Sequence, residues 1–90
     1  MTTRQVIVPW KKGLHLRVAT RLVRLAQTFR STIRVRCGDQ VANLGSIISV
    51  ISLCAVMGSA LVVEVSGDDE QEAVRAVEQV FSLDDEAGST

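Results

Sequence analysis

The sequence predicts an α+β fold in which helices cover one face of a β-sheet. Some segments show the alternating hydrophobicity of strands, and others show the periodicity of amphipathic helices. They follow one another in the order βαββ(α)βα. The chain has 90 residues, of which 47% are hydrophobic, enough for one small domain with a modest core. Only 3% of the residues are aromatic, so the core must consist mainly of valine, isoleucine, leucine and alanine.

A strand and an amphipathic helix open the chain. Gln5–Pro9 has the composition of a strand, which the proline ends. In Leu16–Phe29 the apolar residues recur at helical spacing, which predicts a helix with one buried face. The opposite face is basic and carries Arg17, Arg21 and Arg24. The helix is therefore expected to present a basic stripe to solvent.

The middle of the chain is predicted to form a hairpin, which an ambiguous segment follows. Thr32–Arg36 alternates as a half-buried strand, and Val41–Leu44 is expected to pair back with it after a turn at Cys37–Gln40. The isoleucine and valine content of Ser46–Ala55 favours a strand. Yet the serine that begins this segment has the features of a helix N-cap. Propensity leaves both structures open here.

A strand and a helix complete the predicted domain. Ala60–Ser66 is the strongest strand pattern, and a helix with a valine-rich apolar face follows it. Asp69 and Glu72 have the spacing of a capping box, and early acidic residues suit the positive end of a helix. We expect one domain over residues 1–83 and an acidic, frayed tail over residues 84–90.

Composition excludes several classes of protein. No run of 18 apolar residues is present, so we expect no membrane insertion, and the N-terminus lacks the apolar stretch of a signal peptide. The two cysteines, Cys37 and Cys54, and the single histidine do not form a metal-binding pattern. We therefore expect a cytoplasmic protein with reduced cysteines, no metal and no cofactor. We also expect it to be a monomer.

Charge is distributed unevenly, although the formal net charge is zero. Nine of the ten basic residues lie before residue 37, and all ten acidic residues lie at or after Asp39. This division predicts either a polarised surface that attracts an oppositely charged partner or ordinary solvated faces. The sequence leaves both interpretations open.

The single histidine lies in the most informative segment of the chain, Gly13-Leu14-His15-Leu16-Arg17. It directly precedes the first predicted helix, where backbone N–H groups and the helix dipole attract anions. The arginine adds a positive charge two residues later. Together, these features predict a site that holds an anion.

These residues resemble the histidine-containing phosphocarrier (HPr) family of the bacterial phosphoenolpyruvate-dependent phosphotransferase system. The resemblance covers almost the whole chain and rests on Gly13-Leu14-His15-x-Arg17, Asn43-Leu44-x-Ser46-Ile47, Gly58 and Gly67-Asp68-Asp69-Glu70. It implies an open-faced β-sandwich of four antiparallel strands with three helices on one face, in the order βαββαβα. It also implies that Ser46–Leu53 forms a short helix rather than a strand.

The resemblance further implies a phosphocarrier rather than an enzyme. His15 would accept a phosphoryl group on Nδ1 from enzyme I and pass it to enzyme IIA domains in carbohydrate uptake, with Arg17 stabilising the phosphoryl group. Ser46 is similar to a serine that a dedicated kinase phosphorylates in many bacteria, which implies a serine kinase/phosphorylase and a transcription regulator as further partners. Partner docking is expected at Leu16, Thr20, Arg21, Arg24, Ile47, Ile48 and Ile51.

The chain departs from the family at two positions next to the histidine. Val18 stands where the family usually has proline, which adds one N–H donor near the phosphate site. Leu16 replaces a residue that is usually small or hydroxylated. A second function therefore stays open: a regulatory paralogue that acts mainly by phosphorylation-dependent binding to a regulator or enzyme. Nucleic-acid binding is disfavoured, because the predicted strands carry no aromatic residues for base stacking.

Overall fold

The computed structural model describes residues 1–53 and 55–82. Its strands and helices are β1 (Thr2–Ile7), α1 (Leu16–Ala26), β2 (Thr32–Cys37), β3 (Gln40–Asn43), α2 (Ile47–Ser52), β4 (Ala60–Ser66) and α3 (Glu70–Ser82). None of the helices in these ranges is long and apolar enough to cross a membrane. Cys54 and the predicted tail, residues 84–90, lie outside the described residues.

The strands form one antiparallel sheet in the order β1-β4-β2-β3. β4 pairs with β1 on one side and with β2 on the other, and β3 forms a hairpin with β2. In this hairpin Gln40 already pairs with Cys37, so the predicted strand Val41–Leu44 is displaced by one residue. The predicted open-faced sandwich, with four antiparallel strands, three helices on one face and the order βαββαβα, is confirmed.

The core lies between the sheet and the helices and is largely aliphatic, as the composition predicts. Alternate residues of the two central strands are buried, namely Ile33, Val35, Leu61, Val63 and Val65. The buried face of α3 consists of the predicted residues Ala73, Val74, Val77, Val80 and Phe81. The alternating and helical hydrophobic patterns therefore predicted correctly which faces meet.

One aromatic contact anchors the segment that precedes α1. Trp10 is only 1% exposed, and its ring centroid lies 5.2 Å from that of Phe81 near the end of α3. Burial of large aromatic rings contributes strongly to the stability of a small core. The loop after β1 is thus tied to the last turn of α3.

Two predicted boundaries are wrong by a few residues. β1 spans Thr2–Ile7 rather than Gln5–Pro9, because β4 pairs with the whole N-terminal segment. α1 ends at Ala26 rather than at Phe29. The N–H of Phe29 donates to the carbonyl of Ala26, three residues back, which forms a tighter turn than an α-helix.

The segment with strand propensity forms the short helix α2, so the alternative of a strand is wrong. Ser46 is its N-cap, and Val50 is its fully buried residue. A strand would turn every second side chain to the core, whereas one turn and a half of helix directs Val50 and then Leu53 inward. Packing against α1 and β3 therefore decides the structure against local propensity.

Asp69 does not form the predicted capping box with Glu72. Its carboxylate instead accepts hydrogen bonds from the N–H groups of Arg30 and Ser31, at 2.8 and 2.9 Å. The hydroxyl of Ser31 donates a third hydrogen bond at 2.6 Å. The tertiary fold brings the chain after α1 next to Asp69, and these backbone donors take the place of the predicted local contact.

Replacing Asp69 by asparagine is expected to lower stability at neutral pH and to matter less in acid. The hydrogen bond from the Ser31 hydroxyl, with that from the Arg30 N–H, holds the pKa of the Asp69 carboxyl below its ordinary value of 3.8. A lowered pKa stabilises the fold above the ordinary value, and this stabilisation is lost as the pH falls through the folded-state pKa. Urea unfolding followed by Trp10 fluorescence, at neutral pH and below pH 3.8, measures the difference.

Asp68→Asn is the matched control, because Asp68 is an exposed neighbour of the same type. It is expected to unfold like the unmodified protein at every pH. Equal destabilisation by the two substitutions at neutral pH would contradict the role assigned to the Asp69 hydrogen bonds.

Candidate functional site

The loop between β1 and α1 is held against the segment that precedes β4. Gly13 has a φ of +72°, and its N–H donates to the Trp10 carbonyl at 2.9 Å. The N–H of Leu14 donates to the Ala55 carbonyl at 2.9 Å, and the Leu14 side chain is buried. A Cβ at Gly13 would lie 2.4 Å from the Ala55 oxygen, so this close approach requires glycine. The contact determines where the next residue, His15, is placed.

His15 is the N-cap of α1. Its backbone is extended, with φ −92° and ψ 178°, and its carbonyl accepts a hydrogen bond from the Ala19 N–H at 2.9 Å. The imidazole is half-buried and makes no capping hydrogen bond, and the first turn of α1 has no acidic residue. The first N–H groups of an α-helix have no acceptor within the helix, and they lie at the positive end of the helix dipole. The imidazole and an anion-binding helix end therefore lie together.

The predicted basic stripe of α1 lies on the surface, where Arg17, Arg21 and Arg24 are exposed. The opposite face of the helix is buried in the core and includes Val18, Ala19, Leu22 and Val23. Val18 has no exposed surface, so its side chain is not part of a docking surface. The stripe begins with Arg17, two residues from the imidazole.

Exposed apolar side chains lie next to the basic stripe. Leu16 is 62% exposed at the start of α1, and Ile48 and Ile51 of the neighbouring α2 are 77% and 38% exposed. These three residues are called the apolar patch below. Thr20 is half-buried, and its hydroxyl donates to the Leu16 carbonyl at 2.8 Å, so it is engaged within the helix.

Ile47 does not share the exposure that the resemblance implies for it. It is half-buried and packs against the core. Successive helical residues point about 100° apart, and residues three apart share a face. Ile47 therefore lies on the same side as the buried Val50, while Ile48 faces solvent.

Val56 is a candidate docking residue that the sequence did not single out. It is 65% exposed, and its Cα lies 3.1 Å from the position of a Cβ built on Gly13. Met57, which follows it, is 55% exposed. The only available signal was a short apolar run before Gly58. Its closeness to Gly13, two residues before His15, depends on a contact between segments that are far apart in the sequence.

Ser46 lies at the start of α2. Its hydroxyl oxygen accepts a hydrogen bond from the Ser49 N–H at 3.3 Å, and its own N–H donates to the Asn43 carbonyl at 3.1 Å. The side chain is half-buried and acts as a helix cap. A group added to this oxygen would lie two residues from Ile48 of the apolar patch.

The arrangement around His15 suits transient attachment of a phosphoryl group. An uncharged imidazole is a nucleophile towards phosphorus. Helix N-termini and arginine side chains are recurrent binding groups for phosphate oxygens in proteins. The apolar patch and the basic stripe combine exposed apolar and charged side chains, a composition found at transient interfaces.

Known proteins resemble this chain in sequence and in fold. The sequence profile of the family described as "PTS HPr component phosphorylation site" matches residues 2–82. The phosphocarrier protein HPr of Lysinibacillus sphaericus is 40% identical over 77 residues, which cover 86% of this chain and 88% of that protein. The phosphocarrier protein NPr of Proteus mirabilis is 37% identical over 79 residues, 87% of this chain and 88% of that protein.

The structural comparison agrees with the sequence comparisons. A crystal structure of HPr from Thermoanaerobacter tengcongensis matches with a TM-score of 0.86 and 32% identity, and the match covers 91% of this chain and 92% of that one. The chain therefore belongs to the HPr family of the phosphotransferase system, whose members are phosphocarriers.

Gly13→Ala is expected to destabilise the protein more than Gly38→Ala. Both glycines have a positive φ, +72° and +60°, which costs a residue with a side chain about 1–2 kcal/mol. Only at Gly13 does the added Cβ also collide with a backbone oxygen, and such overpacking typically costs a further ~1–3 kcal/mol. Urea unfolding measures the free energy of unfolding of the two variants. Equal losses of stability would show that the close approach of Gly13 to the Ala55 oxygen does not require glycine.

Proposed function

We propose that this protein is a phosphocarrier that accepts a phosphoryl group on His15 from enzyme I and passes it to enzyme IIA domains in carbohydrate uptake. The observation that carries the proposal is the position of the only histidine, at the N-cap of an 11-residue helix with Arg17 in its first turn. Membership of the HPr family supports it. The proposal places the protein in the cytoplasm, together with these partners.

The transfer depends mainly on positioning and on neutralising charge. A lone pair on the imidazole Nδ1 attacks phosphorus while the bond from phosphorus to the donor's leaving group breaks. The phosphoryl oxygens then face the N-terminal end of α1, whose N–H groups and dipole stabilise negative charge. Arg17 adds charge-assisted hydrogen bonds. In the second transfer the N–P bond breaks as the nucleophile of the accepting protein binds phosphorus.

The surface around His15 supports docking of partners with an acidic rim and an apolar centre. Leu16 of the apolar patch follows the histidine directly, Ile48 and Ile51 belong to the helix that contacts α1, and the arginines of α1 are exposed. Apolar clusters bordered by charge are typical of transient interfaces. Complementary charge also raises the rate of association, which a carrier with several partners requires.

Incubation with enzyme I and phosphoenolpyruvate tests the proposal. We expect acid-labile, alkali-stable phosphorylation that is absent from His15→Ala. Arg17→Ala is expected to slow transfer about 10- to 100-fold, because a hydrogen bond to a charged group contributes roughly 1.5–3 kcal/mol. Arg34→Ala is the control, since Arg34 is exposed on β2 between the core residues Ile33 and Val35 and so faces away from the helices. Phosphorylation that survives His15→Ala would refute the proposal.

We also propose that phosphorylation of Ser46 weakens docking. The added phosphate would place about two negative charges close to Ile48, where acidic partners are expected to bind. The site at the start of a helix tolerates this charge, so the fold is kept while the interface is changed. A serine kinase/phosphorylase would set the modification, and a transcription regulator could distinguish the two forms.

Ser46→Asp is expected to raise the KM for phosphorylation by enzyme I about 10-fold without unfolding α2, because one introduced charge opposes association. Ser46→Ala separates this effect from capping: it should lose about 1 kcal/mol of stability but keep the wild-type KM. Ser66→Asp, at the exposed end of β4, controls for a negative charge elsewhere. A KM that is the same for all four proteins would refute the regulatory role.

A regulatory paralogue is the second candidate function. The observation that favours it is Leu16, an apolar side chain that is 62% exposed directly beside His15. Such a side chain changes the surface that a partner meets next to the phosphoryl group. This function predicts that a transcription regulator or enzyme binds the phosphorylated and unphosphorylated forms with different affinity. Equal binding of all forms, measured by titration calorimetry, would exclude it.

A further inference from the structure

β1 is an edge strand, and within the described residues no strand pairs with its outer side. Where β1 ends, the Val8 N–H donates to the Ser59 carbonyl at 3.0 Å, on the side of β4. The direction of the backbone groups alternates from residue to residue along a strand. The N–H and C=O groups of the even-numbered residues of β1 therefore point towards β4. Those of the odd-numbered residues, Thr3, Gln5 and Ile7, point outward, and all three residues are exposed.

The outer edge of β1 is complementary to itself. When two copies of β1 meet antiparallel across a twofold axis at Gln5, the N–H and C=O of each Gln5 face those of the other. Thr3 of one copy then faces Ile7 of the other in the same hydrogen-bonded geometry. Unpaired N–H and C=O groups at a sheet edge are a template for pairing with another chain. This edge therefore offers donors and acceptors that fit a second copy of the protein.

Arg4 lies across this edge in the single chain. Its guanidinium donates to the Thr3 carbonyl at 2.8 Å, so one of the outward acceptors is occupied. Its Nε lies 3.8 Å from a carboxylate oxygen of Glu78 on α3, and the arginine side chain is 46% exposed. In the antiparallel pair, the Arg4 side chains of the two copies are diagonal neighbours on one face of the sheet, where like charges repel. A charged side chain in this position hinders pairing of an edge strand.

We propose that the outer edge of β1 is a pairing surface for a second copy of this chain and that Arg4 keeps this surface closed. Pairing joins two four-stranded sheets into one continuous sheet without unfolding either copy. β1 and β3 are the opposite edges of the sheet, and α2 contacts β3, so Ile48 and Ile51 lie on the side away from the pairing surface. Such pairing is independent of phosphoryl transfer.

Sedimentation of the full chain over a range of protein concentrations tests the role of Arg4. Arg4→Ala frees the Thr3 carbonyl and removes the charge, so we expect the dissociation constant of the dimer to fall about 10-fold or more. Arg34→Ala is the matched control, because Arg34 is an exposed arginine on β2, which is paired on both sides. The control is expected to sediment like the unmodified protein. Equal association of the two variants would overturn the proposal.

Gln5→Pro identifies the surface through which Arg4→Ala associates. The Gln5 N–H points outward, and proline is tolerated in an edge strand where the missing N–H faces solvent. Arg4→Ala/Gln5→Pro is therefore expected to stay folded, as judged by Trp10 fluorescence, and to be a monomer. A folded double variant that still forms the dimer would overturn the proposal. Exchange of β1 between two copies, or association through another surface, does not require this N–H.

Amide hydrogen exchange of Arg4→Ala decides the same question without a second substitution. The N–H groups of Thr3, Gln5 and Ile7 become hydrogen-bonded in the dimer, so we expect their exchange to slow about 10-fold or more as the protein concentration rises. The N–H of Val41, on the opposite edge strand β3, is the control and is expected to exchange at a constant rate. Slower exchange at Val41 with no change at Gln5 would overturn the proposal.

Discussion

The candidate site depends on the close approach of the loop before α1 to the backbone at Ala55. Only a residue without a side chain fits at Gly13, where a Cβ would lie 2.4 Å from the Ala55 oxygen. The adjacent hydrogen bond from Leu14 and the burial of Trp10 hold the loop from both ends. His15 therefore starts α1 at one position, beside α2 and beside the segment that contains Val56. The positions of His15, of the start of α1 and of the proposed docking surface all depend on this contact.

α1 has one apolar face that is buried in the core and one basic face that is exposed. Its valine, alanine and leucine side chains are buried against the sheet and the other helices, which fixes the axis and rotation of the helix. That rotation turns the arginines outward, and the first of them, Arg17, lies in the first turn after His15. The phosphate site proposed at the start of this helix requires N–H groups that are held rigidly, and the core on the opposite face supplies that rigidity. The buried side of this short helix thus contributes to stability, while the proposed chemistry uses its exposed start.

The elements whose burial is encoded in hydrophobic spacing could be predicted from the sequence, and the rest could not. Alternation in Thr32–Arg36 and in Ala60–Ser66, and helical spacing in α1 and α3, each identified the face that is buried. α2 escaped this reasoning because six residues are too few to show a period, and its β-branched residues favour the other structure. Asp69 escaped it because its hydrogen-bond partners at Ser31 come from a distant part of the chain.

The sequence by itself determined the order of the elements other than α2, their buried faces and the choice of His15 as the candidate nucleophile, because these depend on local pattern and on residue chemistry. Local pattern left α2 open, and the structure confirms the helix that the family resemblance implied. Only the tertiary structure decided that Ile47 turns inward while Ile48 stays exposed, and that Val56 lies beside the loop of His15. Each of these depends on which distant segments pack together. Hydrophobic spacing records that a face must be buried, but it does not record which partner buries it.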